Sequence, residues 1–137
     1  MKHIDHIGIA IKSLEASVPL FESLLNTICY KQEAVRGENV ITAFLKTGET
    51  KIELLQDEKE NGIINKFIKK KGEGIHHIAF EVENIQIEIL RLKEAGFKIL
   101  NEIPRKGADN KMVCFLHPNS TNGILIELCE QIKNTPV

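Results

Sequence analysis

Two histidines and two glutamates interrupt runs of apolar residues in this chain: His6 in "IDHIGIAI", Glu53 in "KIELL", His77 in "IHHIAFEV" and Glu127 in "ILIELC". A carboxylate in the middle of an apolar strand carries a desolvation cost unless it is paired or bound to a metal. Together the four side chains form a mixed nitrogen and oxygen donor set. Such a set suits one borderline divalent ion, Zn²⁺, Ni²⁺, Co²⁺ or Mn²⁺, and leaves room for water or substrate oxygens. No thiolate joins it, which argues against a closed structural zinc site. The chemistry open to such a centre is Lewis-acid polarisation of a carbonyl.

A repeat selects these four residues. "IDHIGIAI" at 4–11 resembles "IHHIAFEV" at 75–82, and His6 matches His77 at an offset of 71. Phe44–Leu45 match Phe115–Leu116 at the same offset, and Ile52–Glu53–Leu54 match Ile126–Glu127–Leu128 at 74. The common order and near-common offset point to a duplicated unit. Neighbours in a strand face opposite ways, so only one of His76 and His77 shares the interior of His6. The repeat chooses His77, and His76 is expected to be a surface or hydrogen-bonded histidine.

The elements that must position these groups follow the same repeat. A first strand over 4–11 leads to a helix capped by Ser13, with Leu14, Val18, Phe21 and Leu25 as its buried stripe and Pro19 as a kink. Strands are expected at 28–36, 40–47 and 50–56, the last two joined around Gly48–Glu49. A linking helix over 61–71 buries Ile64, Phe67 and Ile68. The second copy reads as a strand at 75–82, a helix at 84–95 stopped by Gly96, and strands at 97–103, 111–117 and 122–130. The expected fold is α+β: two tandem βαβββ modules, about 3–57 and 74–130, whose mixed sheets form a cleft around a metal site. The whole chain, 1–137, is expected to be one domain.

Composition sets the outer bounds. A formal charge of −1 gives no electrostatic case for nucleic acid or an anionic membrane as main partner. The basic run "KFIKKK" at 66–71 reads as a solvated helix end. Cys29, Cys114 and Cys129 are odd in number and lack CxxC spacing, so they read as reduced core residues of a cytoplasmic protein. No apolar run is long enough for a membrane span.

The paired modules and their His…Glu…His…Glu order resemble the vicinal oxygen chelate superfamily, which includes glyoxalase I, methylmalonyl-CoA epimerases, extradiol dioxygenases and bleomycin-resistance proteins. "IDHIGIAIKSLEASVPLFESLL", "KIELLQ", "GEGIHHIAFEVENI" and "FLHPNSTNGILIELCE" are most similar to the methylmalonyl-CoA epimerase family. The resemblance implies one divalent ion (Co²⁺, Zn²⁺, Ni²⁺ or Mn²⁺) on His6, Glu53, His77 and Glu127. It further implies a thioester or thiol-adduct substrate that loses a proton next to a carbonyl, and a possible homodimer. Arg105, Lys106 and Lys111 of "PRKGADNK" resemble the epimerase loop near the site and are implied substrate contacts. Some epimerases carry an acidic residue, proposed as a catalytic base, where this chain has Thr42. That leaves Glu127 as base as well as ligand, a carboxylate elsewhere, or a different substrate. Glyoxalase I is the alternative, but Ala10 stands where that enzyme often has an arginine. A metal-free drug-binding protein of the same fold is a third reading.

Overall fold

The computed structural model describes residues 1–35 and 37–133. By internal contacts the chain falls into two compact units, one spanning His6–His77 and the other joining Met1–Asp5 to the chain from Ile78 onward.

In the unit His6–His77 the elements are β1 (Ile4–Ala10, which begins in the other unit), α1 (Leu14–Leu25), β2 (Lys31–Val35), β3 (Val40–Thr47), β4 (Thr50–Asp57) and α2 (Ile63–Lys71). The strands lie side by side as β2-β3-β4-β1. β2, β3 and β4 pair antiparallel, whereas β1 runs parallel to β4. Strand alternation gives the sheet two unlike faces. On one, Ile11, Leu14, Ala43, Leu45 and Leu54 form a core under α1. On the other, Ala10, Val40 and Leu55 pack against Ile64 and Ile68 of α2. His6 and Glu53 belong to this second face by alternation. Ser13 caps α1 as expected, accepting from the Ala16 N–H, and the helix runs through Pro19 without a break.

The second unit contains the latter half of β5 (Gly74–Glu81), then α3 (Ile85–Glu94), β6 (Arg105–Lys106), β7 (Lys111–Leu116) and β8 (Ile126–Gln131). Its strand order is β5-β8-β7-β6. β5 is parallel to β8, and the other pairs are antiparallel. Ile85, Ile89 and Leu92 of α3 pack on Val82, Cys114, Leu116 and Leu128. Cys114 and Cys129 are buried free thiols and Cys29 is partly buried. Burial pushes the Cys114 thiol up to about 12 and moves that of Cys129 the same way, helped by nearby carboxylates.

The duplication is visible in the register. Glu53 lies opposite Gly8 on β1 and Phe44 on β3. Glu127 lies opposite Ala79 on β5 and Phe115 on β7, the equivalent positions. One expected element does not form as drawn: residues 97–103 make only a single bridge, Ile99 to Leu116, and the strand that pairs with β7 is the short β6 beyond them. Asn101 takes its place beside β7. Its side chain accepts from the Phe115 N–H at 2.9 Å and donates to the Val113 carbonyl at 3.4 Å. Pro104, lacking an N–H, cannot extend the ladder.

Candidate metal centre

Three of the four expected ligands come together within the unit His6–His77. The Nε2 atoms of His6 and His77 lie 3.1 Å apart, and each is 3.4 Å from Oε1 of Glu53. All three side chains are buried, at 6 % exposure or less. β1 supplies His6, the parallel neighbour β4 supplies Glu53, and the first residues of β5 supply His77. Donor atoms bonded to one ion at about 2.1 Å and separated by 90–109° stand roughly 3.0–3.4 Å from one another. The observed separations match that spacing, and the donor types suit a borderline divalent ion.

Two residues shape the cluster. Phe44, opposite Glu53 in the register, sets its ring edge-on to His6 with centroids 6.5 Å apart. Gly8 lies on the same strand face as His6. A Cβ at that position would sit 2.2 Å from Cε1 of His77 and 2.7 Å from its Nε2. The backbone here must be bare so that the second imidazole can approach.

His76 is hydrogen-bonded, one of the two outcomes expected of it. Its Nδ1 lies 2.9 Å from Nδ1 of His77, and its ring packs edge-on to Phe67 of α2 at 5.0 Å between centroids. Burial, then the neighbouring His77, lowers its pKa to about 4, so the ring is neutral at physiological pH.

Glu127, the fourth expected ligand, is buried on β8 of the other unit at the register position equivalent to Glu53. Thr42 is buried, and its hydroxyl donates to the Glu33 carbonyl at 3.4 Å. Glu33 lies directly opposite Thr42 in the β2–β3 register, so its side chain shares that sheet face, and its carboxylate lies 3.1 Å from the Lys31 ammonium. Nothing in the chain's motifs singled out Glu33; only its strand partner does.

The three expected substrate contacts divide. Arg105 and Lys106 are exposed on β6. Lys111 is 3 % exposed, and its ammonium lies 3.0 Å from Oδ1 of Asp5 and 3.4 Å from Oε1 of Glu81. It differs from a loop cation in that its charge is neutralised inside the fold. Asp5 and Glu81, polar residues in otherwise apolar strands, were the sequence signal for this triad.

Residues 5–115 match the family model of the glyoxalase/bleomycin resistance protein/dioxygenase superfamily. The ethylmalonyl-CoA/methylmalonyl-CoA epimerase of Cereibacter sphaeroides is 39 % identical over 131 residues, which cover 94 % of this chain and 97 % of that one. The uncharacterized protein YqjC of Bacillus subtilis is 35 % identical over 130 residues, covering 95 % and 93 %. Among solved structures, the Streptomyces coelicolor methylmalonyl-CoA epimerase in complex with 2-nitronate-propionyl-CoA superposes with a TM-score of 0.92 at 30 % identity, covering 99 % of both chains.

Proposed function

The chain belongs to the glyoxalase/bleomycin resistance protein/dioxygenase superfamily, and from that premise we propose that it is a divalent-metal-dependent methylmalonyl-CoA epimerase. The observation that carries the reading is the His6–Glu53–His77 cluster, buried and spaced as donors to one ion. Similarity to epimerases over nearly the full chain supports the choice of substrate.

In this reading His6, Glu53, His77 and Glu127 hold the ion. When bound, it supplies Lewis-acid stabilisation of negative charge on the thioester oxygen. Glu127 takes the C2 proton, and a second group returns a proton to the opposite face of the carbon. Thr42 is too weak an acid–base group for that second role. Glu33 is the carboxylate beside it: Cβ atoms of directly opposed residues stand roughly 4.5–5.5 Å apart, so a Glu33 side chain can reach over the small threonine. Proton transfer by a positioned group of this kind typically contributes ~10²–10⁴-fold. Arg105 and Lys106 meet CoA phosphates, where guanidinium and ammonium groups are suited to bind. Lys111 serves the same end indirectly, by fixing the start of β7 that pairs with their strand.

Ala10 supports CoA over glutathione as the thiol carrier. It is buried among Val40, Leu55, Ile64 and Ile68, which leaves no room for an arginine there. Incubation with methylmalonyl-CoA in D₂O, beside a lactoylglutathione assay and with a panel of metals, tests the reading. Deuterium at C2 without S-lactoylglutathione formation is the expected outcome. Lactoylglutathione formation without exchange would replace the epimerase with glyoxalase I.

A further inference from the structure

We propose that His76 is a positioning residue that holds the His77 ring in the tautomer able to ligate the ion. The inference rests on the metal reading above and concerns a residue outside the four ligands.

It follows from a single contact. The Nδ1 atoms of His76 and His77 are 2.9 Å apart, with the two rings at 87° to one another. A hydrogen bond at that distance needs one N–H and one lone pair. A neutral imidazole has one of each, so the proton's place on one nitrogen decides the state of the other. Were His76 the donor, the His77 proton would sit on Nε2, the atom that lies 3.1 Å from His6 and 3.4 Å from Glu53. That proton would occupy the lone-pair position a ligand needs. With His77 as donor, Nδ1 carries the proton, His76 Nδ1 accepts it, and the His77 Nε2 lone pair faces the cluster. His76 then carries its own proton on Nε2.

His76 is itself held. The Phe67 ring of α2 stands against it at an interplanar angle of 73°. The His77 ring occupies the space that a Cβ at Gly8 would fill, so it is seated against the bare strand backbone there. The tautomer and the ring plane of His77 are therefore set together, as outer partners of ligating histidines generally set them.

Three variants of the full chain separate this role from packing. His76→Phe keeps a ring against Phe67 and removes the acceptor. His76→Asn places an amide oxygen near the position of Nδ1, and His76→Gln places one near Nε2. Zn²⁺ and Co²⁺ affinities are read by competition with a chromophoric chelator. The expected loss is about 10–100-fold for Phe and for Gln, with Asn within about threefold of the wild type. Long-range ¹H–¹⁵N spectra of the zinc-bound wild type should show the His77 proton on Nδ1. Equal affinity in the wild type, Phe and Gln chains, or an unprotonated Nδ1 in the zinc-bound spectrum, overturns the role of His76 while leaving the metal centre standing. If the wild type binds neither ion, the metal reading falls and this inference falls with it. Should the Phe variant fail to fold, Asn against Gln and the wild-type spectrum still decide.

Discussion

Single residues decide whether the cluster can assemble, and the smallest is the most demanding. Gly8 has no unusual backbone dihedral that would require glycine; its constraint is purely the His77 ring, 2.2 Å from where a Cβ would be. Gly8→Ala must therefore move the imidazole or bend β1. The expected result is a fall of roughly 10–100-fold in Zn²⁺ affinity, of the size seen when a ligand loses its orientation, with the far-ultraviolet circular dichroism unchanged. Undiminished affinity, measured by the same chelator competition, would mean that His77 does not ligate from this position. At this scale the sequence pointed to three residues that the fold brings together and was silent about what supports them. His6, Glu53 and His77 announce themselves because polar groups in apolar strands need an explanation. Gly8 and His76 do not, because their roles depend on which ring lies against them, and that is a matter of three-dimensional approach.

At the scale of elements, the duplication extends beyond the site to the way each helix is tied to its sheet. The Leu14 N–H, in the first turn of α1, donates to Oε1 of Gln56 on β4 at 2.6 Å. The Ile85 N–H, in the first turn of α3, donates to Oε1 of Glu130 on β8 at 3.0 Å. Both residues stand three places after the repeat glutamate, Glu53 or Glu127. Each satisfies one of the orphan donors at a helix start, alongside the caps Ser13 and Asn84. Gln56→Ala and Glu130→Ala should each lower stability by about 1 kcal/mol, as loss of a cap does, measured by urea unfolding with an unchanged slope. No shift in midpoint for either would mean that water replaces the side chain at no cost. The same offset made this pair findable in the sequence, yet a polar residue near a strand end has too many ordinary uses to be read as a cap. The strand expected at 97–103 failed for a related reason: the Asn101 side chain competes for the backbone groups of β7.

For the whole molecule, the family and the βαβββ order of both units were legible in 137 residues because the chain states its pattern twice. Each copy alone is a weak signal, and agreement between copies excludes most accidental explanations. Less legible was the fate of charge. Lys111, expected as a substrate contact, is a buried partner of Asp5 and Glu81; polar residues in those strands hint at a buried charge, but nothing local names a partner 106 positions away from Asp5. The central claim is that one divalent ion on His6, Glu53, His77 and Glu127 makes the chain an epimerase. It is tested most directly by adding Co²⁺ stepwise to metal-stripped protein while following deuterium entry at C2 of methylmalonyl-CoA. Exchange should rise in proportion to bound cobalt and level off at one ion per chain, with the double variant His6→Ala, His77→Ala inert throughout. Full exchange in the stripped protein, or exchange that ignores cobalt occupancy, would contradict it.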